Sequence, residues 1–236
     1  MNWYKISKSP VKLPDGMEEY IKEHLPKYIE QCKWVQKSHS VMIQVLPEFT
    51  NPYTGKKEEA KIYFKEVHYE YPKMILNAEV NVPVKGEPSL IYVYIPDDCT
   101  VTAPALYNVL IHEISHIIDP YARTKRNEEI NKKLQTYEIG GESEKYYRAY
   151  YNSPTEINSF QKGIINKIIS DVKSGRLSKE DVLNILRGDD SFFAHLDLLN
   201  YPAEVRALTF WNKYKPSAIK LLQQRLYTAL QNMDKD

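Results

Sequence analysis

Apolar positions change their spacing twice along this chain, and the three regimes outline its elements. From Asp15-Gly16 to about Lys37 they recur at helical intervals, with Met17, Tyr20, Ile21, Leu25, Tyr28, Ile29, Cys32 and Val35 making an amphipathic helix that Pro26 should bend or break. From Val41 to Ile95 the interval falls to two. Val41–Leu46, Ala60–Tyr69, Met74–Val82 and Leu90–Ile95 are β-branched and aromatic runs that read as four strands. Asn51-Pro52-Tyr53-Thr54-Gly55, Tyr71-Pro72-Lys73 and Lys85-Gly86-Glu87-Pro88 supply turns between them, and links this short predict an antiparallel meander. In the last strand Leu90, Tyr92 and Tyr94 share one face and Ile91, Val93 and Ile95 the other, so one of these faces must be buried.

The helical interval then returns. Leu106, Val109, Leu110, Ile114, Ile117 and Ile118 form a broad apolar surface, opened by the capping hydroxyl of Thr102 with Pro104 behind it and stopped by Asp119-Pro120. A highly charged stretch from Tyr121 to Gly140-Gly141 offers few core anchors and reads as a solvated connection around a short helix, with a lid beside the site as the alternative. Helical patterns fill the remainder: Ser153 to about Val172, Ser178 to near Gly188, Phe192–Leu199, Pro202 through Trp211, and Pro216 to near Met233. The pattern predicts an α+β protein with an N-terminal helix, a small, mostly antiparallel sheet, a buried helix and a helical C-terminal lobe. The expected lobes, 1–120 and 121–236, form one domain.

Composition narrows the partners. A net charge of +1 leaves no electrostatic footprint for nucleic acid or an anionic membrane. Cys32 and Cys99 are the only cysteines and neither lies in a metal-binding spacing, which argues against a disulfide framework and for a reducing setting. With no apolar h-region near Met1 and no long apolar run, the expectation is a soluble, cytoplasmic chain. Nineteen tyrosines against six phenylalanines suit either a half-exposed β surface or a substrate groove.

The chemistry sits in the buried helix, which reads Leu110-Ile111-His112-Glu113-Ile114-Ser115-His116-Ile117-Ile118. One turn apart on a helix, His112 and His116 can reach one tetrahedral zinc ion, and Glu113, about 100° round from His112, stands beside that ion as a general base for its water. A catalytic zinc needs a third protein ligand. Six residues after His116 stands Ala122, which excludes the metzincin pattern, and the alternative is a carboxylate from a later helix packed against the first. Two stretches offer one in a P-x-E-x-x-small context: Glu156, with Ser159 one turn on, and Glu204, with Ala207. Glu156 opens the next firm helix and is the better candidate, although Ser153 and Glu156 also match a capping box. Asp119, on the face of His112 and His116, can orient a histidine or bond local backbone. His24 and His39 read as solvent-facing and His68 as a pleated-surface residue of the second strand, so none of the three is assigned a role.

The pairing of H-E-x-x-H with a downstream Tyr-x-x-Pro-x-Glu-x-x-small helix, from Ser89 to about Phe160, resembles the zincin metallopeptidases of gluzincin type, especially small members encoded by phages and bacteria. The resemblance implies a zincin-like fold whose edge strand, here Leu90–Ile95, precedes the zinc helix and pairs with an extended peptide. It implies His112, His116 and Glu156 as ligands of one zinc ion, Glu113 as base and a peptide or protein substrate. Tyr150, Tyr151 and His195 are the candidate donors to the oxyanion. The contrasting reading is a non-catalytic protein in which the pentapeptide binds metal for stability or not at all.

Overall fold

Met17, Ile21, Leu25, Tyr28, Cys32 and Val35 bury one side of helix α1 (Met17–Ser38), which starts from Gly16 in a left-handed conformation (φ 75°) that glycine adopts without strain. Pro26 does not break it. Pro26 and Lys22, whose carbonyl the proline leaves without its helical partner, both lie on the exposed side, where water can satisfy the group while the buried stripe holds the helix through. The computed structural model describes residues 13–68, 76–83, 87–122, 124–187 and 202–233, and the chain divides between Glu128 and Glu129 into two units.

In the first unit the strands are β1 (Met42–Val45), β2 (Phe49–Thr50), β3 (Lys57–Glu58), β4 (Ala60–Val67), β5 (Asn77–Asn81) and β6 (Ser89–Pro96). The four strands read from the period-two pattern form one sheet in the order β1-β4-β6-β5, and β2 with β3 makes a separate two-residue ladder around Asn51. The sheet is mixed rather than a meander: β4 and β6 are parallel, with Ile62 opposite Ile91 and Phe64 opposite Val93, whereas β1 and β5 pair antiparallel on the outside. Burial decides the order. Ala60, Ile62 and Phe64 of β4 and Ile91, Val93 and Ile95 of β6 are all buried on one face and need flanking strands, whereas Asn77, Glu79 and Asn81 of β5 face solvent and suit an edge. The expectation that Leu90–Ile95 is an edge strand is therefore wrong; the edges are β1 and β5.

Helix α2 (Ala103–Ile118) packs with α1 on this sheet and carries the H-E-x-x-H residues. Its predicted ends are found: Thr102 Oγ1 accepts from the Ala105 amide at 3.4 Å, Pro104 lies in the first turn, and Asp119 ends it. Three side chains fix its place. The Tyr107 hydroxyl donates to Glu18 of α1 at 2.8 Å, Gln36 of α1 donates to the Pro96 and Cys99 carbonyls at 2.7 and 2.9 Å, and buried Asn51 donates to the Ile118 carbonyl at 3.3 Å.

The second unit is helical. Beyond α3 (Lys125–Ile139) come α4 (Ser143–Asn152), α5 (Pro154–Lys173), α6 (Lys179–Arg187), α7 (Pro202–Tyr214) and α8 (Pro216–Asn232). The charged connection expected after Pro120 is thus largely the helix α3, and the predicted Phe192–Leu199 helix lies outside the described residues. Phe160, Ile164 and Ile168 of α5, Trp211 of α7 and Leu222 and Leu226 of α8 form the core. Inside it Arg225, 1% exposed, donates to Gln161 at 2.9 Å and Asn158 at 3.0 Å, and Gln161 donates to the Ala218 carbonyl at 2.8 Å, so α5 and α8 are joined by a satisfied polar network. No described helix is long and apolar enough to cross a membrane.

Candidate metal centre

The last turns of α2 present the histidine pair. His112 Nε2 and His116 Nε2 lie 3.1 Å apart with ring centroids at 4.8 Å and planes at 80°. At that separation one ring donates its N–H to the other, or both lone pairs face a common cation. Two ligands at about 2.05 Å from a tetrahedral zinc ion stand about 3.3 Å apart, so the pair needs almost no rearrangement to hold one. His116 is 8% exposed and Glu113 6%, and both sit among Leu110, Ile114 and Ile117, which are fully buried. A carboxylate in such surroundings keeps its charge only with a partner. Asp119 Oδ1 accepts from the Tyr121 amide at 2.8 Å, the local backbone bond that was the plainer of its two predicted roles.

Asn51 is a positioning residue that sequence reasoning took only for a turn former. Its Oδ1 accepts from the Tyr53 and Thr54 amides while its Nδ2 donates to the last carbonyl of α2, so one buried amide closes a turn and caps the histidine helix. The signal available was an asparagine opening a Pro-Tyr-Thr-Gly turn, which does not say what its free amide reaches.

In the second unit Glu156 occupies the first turn of α5 and is partly buried. The reciprocal capping box is not made. The Ser153 side chain makes no cap hydrogen bond and pairs instead with Thr155 Oγ1 at 2.9 Å, while the Ser153 amide donates to the Tyr150 carbonyl at 2.9 Å. Glu204 of α7 lies against α5 two turns further on: its Oε1 sits 3.5 Å from where a Cβ on Gly163 would be. Residues 156 and 163 share a helix face about 10 Å apart along the axis, so the two carboxylates address different places on α5.

Tyr151, 7% exposed, packs on Phe160 and Phe210 with centroids at 5.9 and 5.3 Å. Burial pushes its phenol above the ordinary value; Arg206 opposes this, and Tyr147, Glu156 and Glu204 add to it, so the hydroxyl shares a field with both candidate carboxylates. It also lines a cleft of about 540 Å³ with Tyr147, Arg206, Phe210, Lys213 and Tyr214. Tyr150 is half-buried and stacks on Tyr146 at 5.9 Å. His195 lies outside the described residues. Comparison with protein-family models, curated proteins and solved structures returns no match.

Proposed function

We propose that this chain is a zinc-dependent peptidase of the zincin kind, with His112, His116 and Glu156 holding one ion and Glu113 acting as general base. The observation that carries the proposal is the 3.1 Å convergence of two imidazole nitrogens from successive turns of a buried helix, with a buried glutamate beside the first. Zinc held there supplies a bound water of lowered pKa, near 7, and a positive charge against the scissile carbonyl. The protein supplies the rest. A Glu113 carboxylate oxygen accepts the proton of the attacking water and delivers it to the leaving amine nitrogen, and its apolar surroundings strengthen both transfers by excluding competing water. Tyr150 and Tyr151 are the candidate oxyanion donors among the described residues, and Glu156 contributes to the field at the Tyr151 hydroxyl. An extended substrate adds to the sheet through β5, the edge strand that packs against α2, and main-chain pairing there gives affinity with modest side-chain selectivity.

Zinc content by mass spectrometry after exhaustive dialysis against metal-free buffer tests the ligand set. The expected result is about one tightly held zinc per chain, lost in His112→Ala and in Glu156→Ala. Glu113→Gln is expected to keep the zinc and lower peptide turnover by roughly 10²- to 10⁴-fold. Zinc retained in Glu156→Ala transfers the third position to Glu204 or Asp119. No tightly held zinc in the wild type refutes the peptidase and leaves the reading as an interaction protein.

A further inference from the structure

The C-terminal ends of α1, β4 and β6 bring four titratable side chains together away from the α2 histidines. Because β4 and β6 run parallel with Val67 opposite Pro96, His68 and Asp97 emerge side by side just beyond the two strands. His68 thus follows β4 rather than lying within it. Glu66 stands on the inner face of β4, at the alternation of Ile62 and Phe64, and its side chain is only 6% exposed. An apolar residue is what that position asks for, so the carboxylate carries a desolvation cost that some partner must offset. His39 supplies part of the answer. As the residue that ends α1 it takes a left-handed conformation (φ 54°), rare for a residue other than glycine, and this turn carries its ring over Glu66, with Nδ1 2.5 Å from Oε2.

An ion pair between His39 and Glu66 leaves the rest of the arrangement idle. Glu66 Oε1 is buried and has no hydrogen-bond partner among the described residues. His68 Nε2 points at the same carboxylate from 3.8 Å, too far for a hydrogen bond, while its Nδ1 lies 2.9 Å from Asp97 Oδ2. That second contact places the Nδ1 proton against Asp97, which leaves Nε2 as the ring nitrogen directed at Glu66. A carboxylate that orients a histidine in this way is the usual outer partner of a metal-bound imidazole.

We propose that His39, Glu66 and His68 form a second divalent-cation site, suited by its two imidazoles and one carboxylate to zinc, with Asp97 as the positioning residue for His68. One ligand atom from each of the three lies within 4.8 Å of the others. Closing them round an ion with about 3.3 Å between ligands moves only the two histidine rings, both on side chains 68% exposed and free to adjust. Bound metal would take Glu66 Oε2, the oxygen both histidines face, and pin the end of α1 to the end of β4, with Asp97 beyond β6 holding His68. The site shares no residue with the H-E-x-x-H centre and stands whether or not the peptidase proposal holds.

Isothermal titration of the full chain with zinc chloride tests it in a His112→Ala/His116→Ala background, so that the α2 pair contributes nothing. One saturable equivalent is expected. His39→Ala and His68→Ala should each weaken it by at least about tenfold through loss of a ligand, and Asp97→Asn by roughly 10- to 100-fold through loss of orientation. In the otherwise unaltered chain the same equivalent should appear beyond any tightly held zinc and vanish in His68→Ala. Imidazole ¹⁵N resonances of His39 and His68 should move together on zinc addition. The proposal fails if no saturable binding is seen, if binding survives both His39→Ala and His68→Ala, or if those resonances do not respond. Failure of the peptidase reading looks different: the wild type then loses its tightly held zinc and keeps this equivalent.

Discussion

Replacing Trp211 by phenylalanine tests how the start of the Glu156 helix is held. The last carbonyls of α4 have no partners within that helix. Around its end the Tyr150 carbonyl accepts from the Ser153 amide at 2.9 Å, the Tyr151 carbonyl from Trp211 Nε1 at 2.8 Å and the Asn152 carbonyl from Lys215 Nζ at 3.2 Å. Trp211 is fully buried, so water cannot take over its role. Trp211→Phe keeps an aromatic ring against Phe160 but removes about 40 Å³ of side chain, which at about 24 cal/mol per Å³ costs about 1 kcal/mol. Leaving the Tyr151 carbonyl unpaired in the core adds about 1–3 kcal/mol. The expected loss is therefore about 2–4 kcal/mol, a fall in melting midpoint of roughly 4–16 °C for a chain of this size. Urea unfolding followed by far-UV circular dichroism measures it, with Tyr151→Phe as the control, since that change leaves the accepting carbonyl in place. A loss in Trp211→Phe no larger than in the control would refute the capping argument.

Two further outcomes follow from groups placed in the cores. Burial, with a smaller contribution from nearby Cys99, pushes the Cys32 thiol from 9.0 up to about 12; above pH 9 the unfolded chain releases this proton while the folded chain retains it. Stability tied to Cys32 is thus complete below pH 9 and falls by about 1.4 kcal/mol per unit as pH rises towards 12, so urea unfolding of the wild type should decline more steeply than that of Cys32→Ala, and parallel profiles would disprove the linkage. At Gly163 an added methyl would meet Glu204 Oε1 at an ordinary 3.5 Å, so Gly163→Ala should gain the helix preference of alanine, about 0.8–1 kcal/mol, and a measured loss would show that Glu204 has no room to yield.

Much of the frame was legible because local chemistry sets it. The ends of α2 follow from Thr102, Pro104 and Asp119-Pro120, and the four strands of the main sheet from their alternation. Strand order was not legible from turn residues, which report where the chain reverses but not which edges pair. The polar alternation of β5 against the apolar β6 held that information, since only the second suits an interior place. In the site, the His112 and His116 spacing was readable because both lie on one helix. His39, Glu66 and His68 were not, because two elements separated in sequence, α1 and β4, bring them together; the local clue was a glutamate at an inward strand position. Continuity of α1 through Pro26 depends on which side of the helix the proline faces, which tertiary packing decides.

The order β1-β4-β6-β5 also sets a timetable for synthesis. β4 and β5 leave the ribosome before β6, with a vacant slot between them, and neither can complete its ladder until Ser89–Pro96 follows. The segment that fills the slot leads directly into the helix bearing His112 and His116, so closure of the sheet and delivery of the histidine pair are one event. A nascent chain halted before β6 carries open strand edges and no histidine pair. Interrupted translation therefore yields a fragment with open strand edges, prone to self-association, that lacks the α2 histidines.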